Sequence, residues 1–255
     1  RDLAAAIDRK GKYKFHRLIY EVGQEQRLHF KQLFKILEKM GYGWSKDCVH
    51  VAHGLYLDEG GKKFATRKGK TIFMRDILED VVGKAMKNLL SREGKKLSES
   101  ELNKRASKIA LAAIFYGDLK NSAKNNIVFD VDKFLAFEGD TGPYLLYSYA
   151  RASSIVRRVK SKKEVEIVDL EKEEIKLLKK IAGFEVVVGK AYDQLAPNLI
   201  ANYCYELAQT FNEFYHCCPV LGSDETAFRL KLVDAFRVVM KKGLGLLGID
   251  VLEEM

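Results

Sequence analysis

Leu18-Ile19-Tyr20-Glu21-Val22-Gly23 is a short β-type run that ends in glycine. It leads into a helical pattern with Phe30, Leu33, Phe34 and Leu37 on one face, closed by Gly41. A second β-type stretch follows, in which Val49, Val51, His53, Leu55 and Leu57 alternate with the other face. Strand, helix, strand is the order of a βαβ unit, so this part of the chain is read as parallel sheet. Ahead of it, Asp2-Leu3-Ala4-Ala5-Ala6 reads as the start of an ordered element. The first residue is Arg1, and neither a secretory signal nor a transit peptide fits, so the expectation is a cut into a longer protein.

Working outward, the loop Asp58 to Thr71 interrupts the α/β pattern, and Ile72 to Tyr116 is helical in character. Asn121 to Asp132 breaks it with polar residues and the strand-like Ile127-Val128-Phe129. Thr141-Gly142-Pro143 then opens a helix, since proline is tolerated in a first turn, and Tyr144, Tyr147, Arg151 and Ser154 follow at helical spacing. Lys160 to Glu174 reads as a charged, solvated connection into the next helix. Pro197 opens another, with Leu199, Tyr203, Leu207, Phe211, Phe214 and Tyr215 as a broad apolar face. Phe228 to Met240 is a further amphipathic stretch, expected to end at the glycines 243, 245 and 248. The fold class expected is mixed and mainly α, with an antiparallel helix bundle from about residue 142 onward.

The 255 residues are 47% hydrophobic with only 3 prolines, which excludes a disordered or Pro-rich linker protein. No apolar run reaches the roughly 18 residues of a spanning helix, so no membrane partner is expected. Four cysteines are too few for a disulfide scaffold and point to a reducing, cytoplasmic setting. The net charge of +9 is unevenly placed. Up to Thr141 there are 28 Lys/Arg against 19 Asp/Glu, and beyond it 16 of each. A basic first part and a neutral second part read as two modules, the first facing a polyanion.

The densest basic stretch is the loop 61–71, Gly61-Lys62-Lys63-Phe64-Ala65-Thr66-Arg67-Lys68-Gly69-Lys70-Thr71. Its end resembles a Walker A loop, but that motif needs a glycine where Phe64 stands, so the P-loop reading fails. Cations on a Gly-hinged loop can still neutralise charge on nucleotide phosphates during displacement at phosphorus. The competing reading is a solvated basic turn. Cys48, His50 and His53 do not make a metal site, because on a strand the first two share a face and His53 takes the other. Cys217-Cys218 is adjacent and not spaced for zinc, so no structural metal is expected. Asp2, Glu25 and Gln26 lie at element ends, with Gln26 just beyond the Val22-Gly23 strand end where ligands of parallel sheets sit. Read on their own, these three are as well explained by helix capping and surface polarity.

Six motifs in collinear order change the picture. Arg1-Asp2-Leu3-Ala4, Val22-Gly23-Gln24-Glu25-Gln26 with His29-Phe30, His50-Val51-Ala52-His53-Gly54, and Lys63-Phe64-Ala65-Thr66-Arg67-Lys68-Gly69 together resemble the later half of the arginyl-tRNA synthetase catalytic domain. Leu135 to Tyr144 with Tyr149-Ala150-Arg151, and Tyr205-Glu206-Leu207 with Phe211 to Tyr215 and the stretch Leu247 to Met255, resemble that family's anticodon-binding bundle. The resemblance implies a Rossmann-like class I catalytic part over 1–78, a helical connecting and tRNA stem-contact region over 79–141, and an α-helical anticodon-binding domain over 142–255. It also implies ATP, with Mg2+, as substrate, arginine as the activated amino acid and its tRNA as acceptor. Residues 63–67 match the family's Lys-Met-Ser-Lys-Ser loop, with Phe64 for Met, Ala65 for Ser and Thr66 where the second Lys stands. By this carry-over Lys63, Arg67 and Lys68 are catalytic candidates. His50, Gly54, Lys63 and Thr66 would border ATP, Asp2 and Gln26 would grip arginine, and Asn202, Tyr205 and Met255 would meet the anticodon loop. The family's His-Ile-Gly-His element lies in an N-terminal half that precedes these motifs, so that half is an implied partner. The alternative function is a non-catalytic tRNA-binding module that keeps the RNA-contacting surfaces.

Overall fold

The computed structural model describes residues 1–58, 60–62, 73–93, 97–158, 169–223 and 225–255. They form two compact units, Arg1–Lys63 with Ser122–Val128, and Phe64–Asn121 with Phe129–Met255.

In the first unit, helix α1 (Asp2–Tyr13) precedes strand β1 (Leu18–Gly23), a 3-10 turn over Gln24–Gln26, helix α2 (Arg27–Lys39) and strand β2 (Cys48–His53). The strands β1 and β2 are parallel, in register from Leu18 opposite Cys48 to Gly23 opposite His53. This is the βαβ order expected from the hydrophobic pattern. Phe30, Leu33 and Leu37 are the buried stripe of α2, and the rings of Tyr20, Phe30 and Phe34 cluster beneath it. Gly41 takes φ +87, a left-handed conformation that stops the helix where the sequence placed its end.

The second β-type stretch is shorter than its alternation implied. β1 ends opposite His53, and at Gly54 the chain turns away, its N–H donating to the Ala123 carbonyl at 2.7 Å. A Cβ at Gly54 would lie 2.2 Å from the Asn125 carbonyl oxygen, so only glycine permits this approach. Tyr56–Leu57 then forms β3, paired in parallel with β4 (Ile127–Val128). One apparent strand is therefore two, belonging to different sheets.

The second unit is helical: α3 (Met74–Glu93), α4 (Glu99–Leu119), the short α5 (Val131–Phe134), α6 (Gly142–Arg158), α7 (Lys172–Ala182), α8 (Phe184–Gln194), α9 (Asn198–Cys217) and α10 (Thr226–Leu246). The single helical stretch expected over 72–116 divides because Ser98 starts a new helix, its hydroxyl accepting the Glu101 N–H. The helices α3 and α4 share one apolar cluster with α6 to α10, in which Tyr116, Tyr149, Phe211, Phe214 and Phe236 are fully buried. A Cβ at Gly142 would lie 2.1 Å from the Ala112 carbonyl oxygen, so glycine there lets the start of α6 rest on α4. Glu174 closes the first turn of α7 by accepting the Glu171 N–H, and its other oxygen takes Nε of the buried Arg229 at 2.7 Å. That pair is tolerable inside the core because the carboxylate is bonded on both oxygens.

One expectation is corrected here. α10 does not end at Gly243 or Gly245 but runs to Leu246. Gly243 serves packing, since a Cβ there would lie 2.6 Å from Cys204 Sγ on α9. Gly248, at φ +75, is the glycine that turns the chain, with the Ile249 N–H closing on the Leu244 carbonyl at 2.9 Å. All four cysteines are free thiols, and no helix among the described residues is long and apolar enough to cross a membrane.

Candidate functional site

The candidates fall into two groups, one in each unit. In the first unit Asp2 opens α1, and its carboxylate accepts from His29 Nε2 at 2.9 Å, with both side chains about half exposed. Gln26 is exposed at the start of α2, three residues and one turn before His29. The bond to His29 therefore brings Asp2 to the same end of α2 as Gln26, the other candidate for gripping arginine. A carboxylate so placed can accept two parallel hydrogen bonds from a guanidinium. A contact across 27 residues has no local signature, so the sequence shows His29 only as part of a motif with Phe30.

His50 stacks on Phe30 with centroids 4.5 Å apart, and its Nε2 donates to the Val22 carbonyl at 2.9 Å. That bond fixes the tautomer and leaves Nδ1 as the acceptor nitrogen. His53 Nδ1 donates to the Gly54 carbonyl at 2.8 Å. Gly54 is buried against residues 123–126, so close backbone packing already demands glycine there. Lys63, Thr66, Arg67 and Lys68 lie outside the described residues. No group of three or more His, Cys, Asp or Glu suited to a metal occurs among the described residues.

In the second unit, α9 places Asn202 on the surface and Tyr205 half-buried beside it, while Tyr203, Phe211 and Phe214 point into the core. The Tyr205 ring meets Tyr144 edge-on at 5.8 Å, and its hydroxyl accepts from Gln209 Nε2 at 3.2 Å. Burial, with Asp140 and Tyr144 nearby, pushes the Tyr205 phenol above its ordinary value, so it stays a neutral hydroxyl. Met255 is half-buried and packs against the bundle core.

Tyr144 also borders a cavity of about 390 Å³ whose walls include Phe137, Tyr147, Arg151, Asn212 and His216. Arg151 organises this cavity. Its guanidinium lies 4.8 Å from the Tyr147 ring centroid and 5.2 Å from that of Tyr215, and Nη1 donates to Asn212 Oδ1 at 2.6 Å. Asn212 in turn donates to the Tyr144 hydroxyl at 2.8 Å and to Ser148 Oγ at 3.1 Å. Flat rings, a fixed guanidinium plane and an oriented amide are the groups that stack on and hydrogen-bond an unstacked base. The sequence displayed Tyr144, Tyr147 and Arg151 as one helical face without assigning it this part. The partners on α9 could not be paired with that face from spacing alone.

Comparison with known proteins gives a family match for each part of the chain. Residues 1–131 match the family described as tRNA synthetases class I (R), catalytic domain, and residues 145–255 match the DALR anticodon binding domain. The whole chain is 44% identical to the arginine–tRNA ligase of Clostridium beijerinckii, covering 46% of that protein. Among solved structures, Thermus thermophilus arginyl-tRNA synthetase matches with a TM-score of 0.87 and 27% identity over 95% of this chain and 42% of its own. The Plasmodium falciparum arginyl-tRNA synthetase matches with a TM-score of 0.85 and 26% identity over all of this chain and 44% of its own. The chain thus spans about half the length of the relatives it matches. It belongs to the arginine-type class I tRNA synthetases, with a catalytic-domain match over residues 1–131 and a DALR anticodon-binding-domain match over residues 145–255.

Proposed function

We propose that this chain supplies the later half of the active site and the anticodon-binding domain of an arginine–tRNA ligase. In that reaction ATP and arginine give an arginyl-adenylate and pyrophosphate, and the arginyl group then passes to the terminal ribose of the tRNA with release of AMP. Asp2, steadied by His29, and Gln26 receive the arginine guanidinium. His50 and Gly54 border the adenosine, with His50 offering Nδ1. Lys63, Thr66, Arg67 and Lys68 balance phosphate charge, and Mg2+ bound with the nucleotide would add further neutralisation of the phosphates. Functionally the chain divides into 1–78 for the catalytic part, 79–141 for a tRNA stem contact and 142–255 for the anticodon, in a cytoplasmic enzyme completed by its N-terminal half.

The observation that carries this reading is the cavity built around Arg151 within the segment matched to an anticodon binding domain, with Tyr205 against its Tyr144 wall. With 16 Lys/Arg and 16 Asp/Glu beyond Thr141, this part of the chain calls for stacking and shape more than bulk charge. The test is complementation. Co-expression with the upstream half is expected to give aminoacylation of arginine tRNA with labelled arginine, and none with either half alone. An assembled pair that binds tRNA but transfers no arginine would reject the catalytic reading in favour of a binding module.

A further inference from the structure

Residues 9–17, Arg9-Lys10-Gly11-Lys12-Tyr13-Lys14-Phe15-His16-Arg17, hold five Lys/Arg and one His in nine positions, with no acid between Asp8 and Glu21. They span the last turn of α1 and the link to β1. Part of this charge has an internal use. Cations in a last turn complement the helix dipole, a use that Lys10 and Lys12 share and that leaves the Lys12 side chain in solvent. Lys10 is further occupied, donating to the Phe15 carbonyl at 2.8 Å, and Arg9 lies over the Tyr20 ring.

Lys12, Lys14 and His16 are exposed, and Lys14 stands beyond the helix in the left-handed region at φ 46, uncommon for a lysine. Among the described residues, Lys12, Lys14 and His16 enter no ion pair. Tyr13 is 66% exposed, with the Lys12 ammonium 5.2 Å from its ring centroid. An outward aromatic ring flanked by lysines suits a phosphate backbone with accessible bases.

Position decides which polyanion. Asp2, the proposed arginine contact, is the first residue of the same helix, and 12 residues at about 1.5 Å each set the patch roughly 18 Å away. An RNA end that delivers its terminal ribose to that site must lead its phosphates outward over such a distance. Resting on the aminoacylation reading above, we propose that Lys12, Tyr13, Lys14 and His16 form a contact surface for the tRNA strand leading to the terminal ribose.

The test uses the full-length enzyme and measures tRNA affinity by filter binding from about 50 to 200 mM salt. The double variant Lys12→Ala/Lys14→Ala is expected to bind tRNA roughly tenfold more weakly at low salt and to reduce the salt slope by about 2, one per phosphate contact. Affinities for arginine and ATP stay unchanged, and Lys12→Arg/Lys14→Arg restores the slope. Tyr13→Ala is expected to weaken binding at least about fivefold with the slope unchanged. An unaltered slope in the double variant overturns the proposal, as does a loss seen for heparin but not for tRNA. A parallel loss of arginine and ATP affinity also overturns it, by showing a structural role. If the unmodified enzyme binds no tRNA at low salt, the underlying reading fails instead.

Discussion

Arg151 is held by a plane and a fork together: its guanidinium lies against the Tyr147 and Tyr215 rings while Nη1 donates to Asn212. Lysine at this position keeps the charge but has neither the flat face nor the fixed donor geometry. In the assembled enzyme Arg151→Lys is therefore expected to weaken tRNA binding about tenfold at fixed salt, within the roughly 1–3 kcal/mol a stacked base contributes. The salt slope should stay as it is, since the charge remains; an unchanged affinity would remove Arg151 from the site. Much of this arrangement was hidden in the sequence for a definable reason. Tyr144, Tyr147 and Arg151 are visible as one face of α6, because helical spacing is local. Asn212 is 61 residues from Arg151, and no periodicity says which face of α9 meets which face of α6. Asp2 and His29 were hidden in the same way, while Lys63 to Lys68 rest on motif order alone.

At the scale of elements, α10 shows how a glycine misleads. Gly243 and Gly245 both lower helix propensity, so each reads as a stop signal, yet the helix passes through both. The physical difference between them is a neighbour: Gly243 faces Cys204 Sγ, 2.6 Å from where a Cβ would sit, and Gly245 has nothing within 4 Å. Gly243→Ala is thus expected to destabilise the bundle by about 1–3 kcal/mol through overpacking. Gly245→Ala, exposed and helical, should be neutral or stabilise it by up to about 1 kcal/mol. Urea titrations of the two variants decide the matter, and equal shifts of the midpoint in one direction would refute the packing role. The strand after Cys48 failed in the opposite sense. Its alternation runs on past His53, but β1 has no residue left to pair, and the Gly54 backbone is taken by Ala123. Pattern shows that a segment can be a strand; partner length decides where it stops.

At the scale of the whole helical unit, the segment after α10 draws several elements together through charge. Glu253 accepts from the Tyr149 hydroxyl at 2.9 Å on α6 and faces Arg237 of α10, and the Arg157 guanidinium donates to the Glu253 carbonyl. Glu254 reaches Arg105 of α4 at 3.4 Å, and Asp250 reaches Lys108 at 3.3 Å. An acidic strap therefore ties α4, α6 and α10 beside Met255, the residue proposed to meet RNA. Burial alone would raise the Glu253 carboxyl, but hydrogen bonds from Ser153 and Tyr149 and the Arg237 charge outweigh it and hold the group below its ordinary value. A carboxyl lowered in the folded state stabilises that state above its unfolded pKa of about 4.3, and the contribution fades as pH falls through the lower folded value. Glu253→Gln should consequently be less stable than the unmodified chain at pH 7, with the gap closing below about pH 4. Urea midpoints compared across that range test it: a gap that persists undiminished at pH 3 would show that shape, and not the charge on Glu253, holds the strap in place.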